Sequence, residues 1–403
     1  MIFFIETGLF VYLALTVCYI VLFSISACCF RKKLFCQLNK VEPVHRIAIL
    51  VPAYKEDGII LSTAVELTKL DYPCHLYDVY IIADSFKEET LKSLEVLSVN
   101  IIKVSFSKST KSRALNAAMS QITENYDIAL ICDADNIFKK DFLIKTDEAF
   151  TGGCRAIQGQ RVAKNLDSNF SILDGISEMI NNQIFRKGHT GLGLSSSVIG
   201  SGMAFSYDLL KDAMKKIDVT GGFDKLLQLE VVKLRIPIVY IENALVFDEK
   251  VSNAGAFQRQ RSRWISSQFL YLKKYFIPGL KMLFKGNIDY FNLAVMHNLI
   301  LPRVIILGIL PVLWFLSLLL DAYVTIAPSW WLALSVMYCV SLLLVLPKAF
   351  YRKQFIPALV SLPKAFCLIL IGFLRAKQSN KNFIHTIHDQ QKIVNPIYTS
   401  NEI

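Results

Sequence analysis

Between Arg46 and about Asp289, short apolar runs alternate with stretches in which apolar residues recur at helical spacing. Ile47–Val51 is β-rich and breaks into Pro52-Ala53-Tyr54-Lys55-Glu56-Asp57, a strand running into a loop. Ile59–Leu70 has helical spacing, Val79–Ala83 is a second strand ending at Asp84-Ser85, and Lys87–Leu97 is a second helix. Asn100–Val104 follows as a strand. Lys111–Ile122 follows as a helix with Ala114, Leu115, Ala118 and Ile122 on one face, and Ile128–Cys132 is an uninterrupted buried strand. Strands alternating with helices predict a mostly parallel sheet, whose ligands collect outside the carboxyl ends of its strands. Three of those ends carry polar or acidic groups: Tyr54–Asp57, Asp84, and the pair Asp133 and Asp135.

Elsewhere the pattern is apolar over much longer distances. Gly8–Phe30 has no charged residue and is long enough to cross a hydrocarbon core. Arg31-Lys32-Lys33 follows at once, so an anchor with a cytoplasmic basic flank fits better than a cleaved signal peptide, whose charges precede its apolar run. Val304–Leu320 and Ala322–Pro347 predict a hairpin of two spans, and Lys348, Arg352 and Lys353 return to the basic side. Gln354–Leu374 is long enough to span but contains Pro357, Pro363 and Lys364, and a crossing would put the following basic tail outside; an interfacial or re-entrant segment is expected. The expected organisation is an anchor (1–30), a cytoplasmic α/β domain (31–289), a membrane region with an interfacial helix and the hairpin (290–376), and a basic cytoplasmic tail (377–403). The setting is a multi-pass protein of the cell membrane.

Composition changes this picture little. Of 403 residues, 53% are hydrophobic, and the net charge is +11. Because the basic residues flank apolar spans, they point to anionic lipid headgroups as partners and away from nucleic acid. The nine cysteines form no CxxC pair and no His/Cys cluster, so they give no zinc signal.

Asp133-Ala134-Asp135 is the chemically pointed stretch. Two carboxylates at the end of a buried strand suit a hard divalent cation and a phosphate; the plain alternative is a solvated turn before a helix from Lys139. A diphosphate would need such a cation to hold it, and Lys111 and Arg113, at a helix start, could add charge there or be ordinary surface residues.

With Pro52-Ala53-Tyr54, Glu56, Asp84, Lys111 with Ala114-Leu115-Asn116, and Asp133-Ala134-Asp135, the chain resembles the membrane-bound family 2 glycosyltransferases. Gln158-Gly159 after a strand, Gly200-Ser201-Gly202-Met203-Ala204-Phe205, and Gln260-Arg261-Ser262-Arg263-Trp264 extend the resemblance to the QxxRW-bearing cellulose, chitin and hyaluronan synthase group. The resemblance implies an α/β GT-A domain, a Rossmann-like nucleotide-diphospho-sugar transferase fold, joined to α-helical transmembrane segments. It implies Mg²⁺ or Mn²⁺ at Asp135 and Asp133, and a nucleotide-diphosphate sugar, a UDP-sugar by preference, held by Ala53, Tyr54, Glu56, Asp84, Lys111, Asp133, Gln260, Arg263 and Trp264. It further implies an acceptor lined by Gly202, Met203 and Trp264, with Trp264 also able to serve as a membrane-interface anchor.

The family's general base belongs to a Thr-Glu-Asp triplet that this sequence lacks. Aligning Ile238–Glu249 with the family's strand puts Asp224 at the base position; Glu230 is the alternative, and a helix N-cap is the structural role open to Asp224. The implied reaction is an inverting single displacement that delivers sugar to a polysaccharide or glycan acceptor. Transfer to a polyprenyl-phosphate-linked acceptor is the alternative, and a non-catalytic membrane scaffold is the reading of another class. Few spans argue against a complete polymer channel in one chain, so a polymer product would call for a homo-oligomer or a secretion partner. Gly188–Gly193 reads as a flexible acceptor-side loop, and His385 and His388 as part of the basic tail rather than a metal pair.

Overall fold

The computed structural model describes residues 2–29, 42–320, 323–353, 355–374, 393 and 395. After helix α1 (Ile2–Cys29) the chain builds β1 (Ile47–Tyr54), α2 (Ile60–Leu67), β2 (Tyr77–Asp84), α3 (Glu88–Glu95), β3 (Asn100–Val104), α4 (Lys111–Gln121) and β4 (Ile128–Ile131). A short strand β5 (Ile137–Phe138) precedes α5 (Phe142–Thr151), so the helix expected at Lys139 starts later. β6 (Ala156–Ala163) leads to α6 (Asn169–Asn181), which widens through a π-helical turn, Asn182–Gly188, into α7 (His189–Gly191). β7 (Met203–Ser206), α8 (Tyr207–Met214), α9 (Phe223–Lys233) and β8 (Val239–Asp248) close the α/β part.

The strands form one sheet in the order β3-β2-β1-β4-β7-β6-β8-β5. β3, β2, β1 and β4 are parallel, and β7 runs antiparallel between β4 and β6. Alternation along β1 shows why both faces are covered. Ile47, Ile49, Val51 and Ala53 enter the core beneath α2 and α5, while Ala48 and Leu50 enter the core beneath α4, α8 and α9. β4 divides in the same way, Ile128 and Leu130 against Ala129 and Ile131, all without solvent exposure. Fully burying such side chains contributes about 1.5–3 kcal/mol each, so the register that sets Asp133 at the strand end is strongly held. Gln158 and Gly159 lie inside β6 rather than after a strand.

The helical part starts with α10 (Ala254–Phe284), then α11 (Ile288–Phe291), a second π-helical turn (Asn292–Met296) and α12 (His297–Leu299). Tyr290, Leu293, Ala294 and Val295 pack into the α/β core, so that core continues past Asp289. α13 (Arg303–Leu319) and α14 (Pro328–Leu344) pack against each other. α15 (Lys348–Lys353) leads to α16 (Phe355–Leu374). α16 is one continuous helix, without the break that a re-entrant loop needs. It packs on α10, α6 and α13 and buries Ala358, Ala365 and Ile369 on one face. Among the described residues, α1 and α16 are long and apolar enough to cross a membrane. Ile288–Leu299 and Arg303–Leu319 qualify together, bent by 56°.

α1 is joined to the α/β domain by buried polar contacts. Tyr19 Oη lies 2.9 Å from His189 Nε2 and donates to Asn292 Oδ1 at 2.8 Å, and Ser26 Oγ donates to the Gly188 carbonyl at 2.7 Å. Burial holds the His189 imidazole down to about 3, so it is neutral. A side chain at Gly188 would run into the backbone of Phe23. Gly188–Gly193 is therefore a packed helical segment against α1 for most of its length, not a flexible loop. The tail returns at Ile393, beside Val162 and Phe247, and at Asn395, whose Nδ2 donates to the Ala163 carbonyl at 2.5 Å. His385 and His388 lie outside the described residues.

Candidate active site

Adjacent parallel strands place the first two motif ends side by side, with Tyr54 paired in register to Asp84. Both strands then turn through left-handed residues, Lys55 (φ 56°) and Ser85 (φ 61°), and Lys55 N–H donates to the Asp84 carbonyl at 3.1 Å. Asp84 is buried; Oδ1 accepts from Ser85 Oγ at 2.9 Å, and Oδ2 has no hydrogen-bond partner among the described residues. An orphaned buried carboxylate oxygen costs about 1–3 kcal/mol or more, which a ligand N–H would recover. Ala53 is buried in the core and has only its backbone to offer a donor. Tyr54 and Glu56 lie at the rim, where Lys55 Nζ stands 5.2 Å over the Tyr54 ring.

One lysine joins the next two motifs. Thr110 caps α4, its hydroxyl accepting from Arg113 N–H at 3.2 Å, and Lys111 opens the helix. Its Nζ donates to Asp133 Oδ1 and, at 2.8 Å, to the Gly200 carbonyl. Arg113 points away and pairs with exposed Asp218 at 2.9 Å, the surface role left open for it. The Gly200–Gly202 loop depends on two left-handed glycines (φ 80° and 61°). Ser201 Oγ accepts from Asp133 N–H at 3.0 Å and donates to Asn136 Oδ1 at 2.5 Å. Gln158 clamps the same loop from β6, its Nε2 donating to the Ser201 carbonyl at 3.0 Å and its Oε1 accepting from Ile199 N–H at 3.1 Å. Gly202 abuts Val246, and Met203 is fully buried in the core. Neither presents a side chain to an acceptor, because β7 turns Met203 inward to fill the sheet.

Asp135 is buried, and its Oδ2 accepts from Glu249 N–H at 3.4 Å. Lys164 Nζ donates to the Asp135 carbonyl at 2.8 Å. Among the described residues no group of three His, Cys, Asp or Glu side chains could hold a metal. Asp133 is engaged by Lys111, and Asp135 is the buried carboxylate of the pair. This donor set fits an ion that keeps water and substrate phosphate oxygens in most of its shell, as Mg²⁺ does.

Asp224 lies at the second position of α9, whose N-cap is Gly222 (φ 69°), so it does not serve as the cap. Its Oδ1 accepts from Lys225 N–H at 3.0 Å. Burial pushes its carboxyl above the usual range, opposed by the nearby charges of Lys225, Lys111 and Arg161. Glu230, farther along α9, pairs with Lys216 at 3.4 Å on the outside.

α10 carries the last motif. Gln260 Oε1 is buried without a hydrogen-bond partner among the described residues. Arg263 is half-buried, and burial, then Arg259, lowers its pKa. Arg261 turns inward, pairs with Asp174 and stacks 4.5 Å from the Trp264 ring.

Sequence reasoning missed a buried ionic cluster behind this site. Glu178 binds Arg161 and Arg186, each at 2.8 Å, and Lys250 binds Asp248 at 2.6 Å. Although burial opposes it, Arg161 and Arg186 hold the Glu178 carboxyl far below its ordinary range. Also unforeseen is a cavity of about 690 Å³. Asp224, Lys225, Arg261 and Trp264 line it beside the α/β domain. Leu307 of α13, Leu342 of α14, Leu346 just beyond it, and Leu362 and Ile369 of α16 line it among the apolar helices.

Residues 45–267 match the family model described as glycosyltransferase like family 2. Beta-monoglucosyldiacylglycerol synthase of Synechocystis sp. is 26% identical over 284 residues, 68% of this chain and 58% of that protein. Probable glycosyltransferase YdaM of Bacillus subtilis is 22% identical over 252 residues, 58% of each chain. The chain thus spans less than two thirds of the length of these curated relatives. Among solved structures, mannosyltransferase PcManGT from Pyrobaculum calidifontis, in complex with GDP-Man and Mn²⁺, is similar with a TM-score of 0.56 at 14% identity. That likeness covers 91% of this chain and 98% of the other, and at this identity it speaks to the fold alone.

Proposed function

This chain belongs to the family 2-like glycosyltransferases and has a GT-A fold, and from that premise we propose that it moves a sugar from a nucleotide-diphosphate sugar to the hydroxyl of a membrane-embedded lipid. One observation carries the choice of acceptor. The cavity that begins at Asp224 is walled farther on by the apolar side chains of α13, α14 and α16. A site with a base at one end and lipid-like walls at the other suits an amphiphile that enters from the bilayer. The name of the Synechocystis relative, which specifies a diacylglycerol, points the same way. A growing glycan would need hydroxyl-matching polar walls, and the membrane-side wall is aliphatic. The polymer reading therefore has the weaker support.

In this reading the donor lies over the ends of β1, β2 and β4. Asp84 and Gln260 would supply acceptors for donor N–H or O–H groups through oxygens that have no hydrogen-bond partner among the described residues. Lys111 holds Asp133 and the Gly200 loop in one arrangement and brings positive charge beside the diphosphate. A divalent cation at Asp135 would offset the negative charge that grows on the leaving diphosphate. The acceptor hydroxyl loses its proton to the Asp224 carboxylate as its oxygen bonds to the anomeric carbon and the bond from that carbon to the diphosphate oxygen breaks. Trp264 offers a ring face at the cavity wall.

The test is incubation of the full chain in lipid nanodiscs with a panel of radiolabelled nucleotide sugars and Mg²⁺ or Mn²⁺. Label entering a chloroform-soluble lipid is expected. Label in water-soluble polymer, with none in lipid, would overturn the reading.

A further inference from the structure

The cavity carries more positive charge than a neutral lipid would use. Arg161, Arg186, Arg261, Arg303 and Lys225 all border it. Three are matched within the protein, Arg161 and Arg186 by Glu178 and Arg261 by Asp174. Arg303 is matched only by neutral groups. Its guanidinium donates to Asn181 Oδ1 at 2.6 Å and to the Ser177 carbonyl and hydroxyl, each at 3.0 Å. Lys225 gives its Nζ to Asn298 Oδ1 at 2.9 Å. Among the described residues neither has an ion-pair partner. Arg303 also opens α13, so the first amides of that helix add partial positive charge beside it.

Such cations, removed from bulk water and held by amides and hydroxyls, are costly until an anion joins them. Asp224 narrows what the anion is. A phosphomonoester oxygen is already mostly ionised near pH 7 and needs no base, whereas an alcohol does. Anion and nucleophile are then different groups of one molecule. Resting on the lipid-acceptor reading above, we infer that the acceptor is a glycerophospholipid with a free headgroup hydroxyl. That hydroxyl lies at Asp224, the phosphodiester against Arg303 and Lys225, and the acyl chains along Leu342, Leu346 and Ile369.

The test uses the full chain in phosphatidylcholine nanodiscs containing equal amounts of phosphatidylglycerol, diacylglycerol and a polyprenyl phosphate. The labelled nucleotide-sugar panel serves as donor, and the lipid products are identified by mass. Sugar on phosphatidylglycerol is expected. Arg303→Gln should raise the KM for phosphatidylglycerol about tenfold, as loss of a charged hydrogen bond does, and Arg303→Lys should recover part of it. Lys225→Met provides the same comparison should Arg303→Gln fail to bind nucleotide sugar. Sugar on diacylglycerol alone, or on polyprenyl phosphate alone, overturns the inference and leaves lipid transfer standing. An unchanged KM in both variants overturns the placement of the phosphate. Sugar on no lipid removes the lipid reading and this inference with it.

Discussion

Lys111 Nζ and Asp224 Oδ2 converge on a single glycine: a Cβ built on Gly200 would stand 3.9 Å from each. The donor-side cation and the proposed base are thus spaced by a residue with no side chain and a left-handed φ of 80°. Gly200→Ala should strain the loop by about 1–3 kcal/mol and displace the carbonyl that Lys111 holds. A fall in kcat/KM of at least about tenfold, with a modest loss of thermal stability, is the expected outcome of steady-state assays and melting curves. Unchanged kinetics would show that this spacing is not used.

Asp224→Asn keeps the shape of the side chain and removes its basicity. Sugar transfer should fall by about 10²- to 10⁴-fold, while nucleotide-sugar binding measured by calorimetry is retained. Glu230→Gln, altering a carboxylate that faces Lys216 outside the site, should leave the rate unchanged. Reversed results would move the base to Glu230.

The pH profile follows from the same pair. The base must be ionised, so the rate rises with pH through the Asp224 pKa. Burial sets that pKa above the solvated value of about 3.9. The adjacent ammonium works against this shift, and burial holds Lys225 itself down to about 8. Lys225→Met removes a charge that favours the carboxylate, so the acid limb of kcat should move to higher pH. A limb that stays in place would show that the two groups are not coupled.

Chelation should abolish transfer, and added Mn²⁺ or Mg²⁺ should restore it. Asp135→Ala should lose about a hundredfold or more in rate and also weaken Mn²⁺ binding in the presence of nucleoside diphosphate, followed by electron paramagnetic resonance. Full activity in this variant would remove Asp135 from the metal site.

Glu178 lies between Arg161 and Arg186 with almost no exposure. Glu178→Gln leaves both guanidiniums without their shared carboxylate, a loss of about 3–5 kcal/mol for a broken buried pair. A drop in melting temperature of the full chain in detergent is expected. A melting temperature equal to wild type would mean that Asp248 and solvent compensate fully.

Much of this site was legible because it lies at element ends. Asp84, Lys111 and Asp133 stand where an apolar run stops or a helix starts, and those boundaries are written in local composition. Motif membership does not say which way a side chain faces, as Ala53 and Met203 show. Strand alternation turns these side chains into the core, leaving the neighbouring backbone at the surface. Arg161 and Glu178 gave no local signal, since each acquires its meaning from a partner distant in sequence. The segment after Gln354 reads as interfacial or re-entrant from its prolines and the basic residues that follow it. Pro363 is accommodated within a continuous α16, since neighbouring helices can re-satisfy the backbone groups a proline frees. The cavity was not legible at all. It exists in the space left where α6, α9, α10, α13, α14 and α16 meet.

The contacts of Tyr19 with His189 and Asn292 have a consequence for where the reaction can occur. A simple tether would let the catalytic domain rise and tilt above the bilayer. Here α1 is locked to the segment that leads toward the Gly200 loop and to the turn that packs on α9, the helix that carries Asp224. In the proposed setting the enzyme becomes a depth gauge: the height of its base above the bilayer midplane is fixed by the position of α1. Lengthening or shortening α1 by one turn shifts that height by about 5.4 Å. Acceptors would then be sorted by how far their hydroxyl stands above the hydrocarbon, before any contact with the headgroup is made.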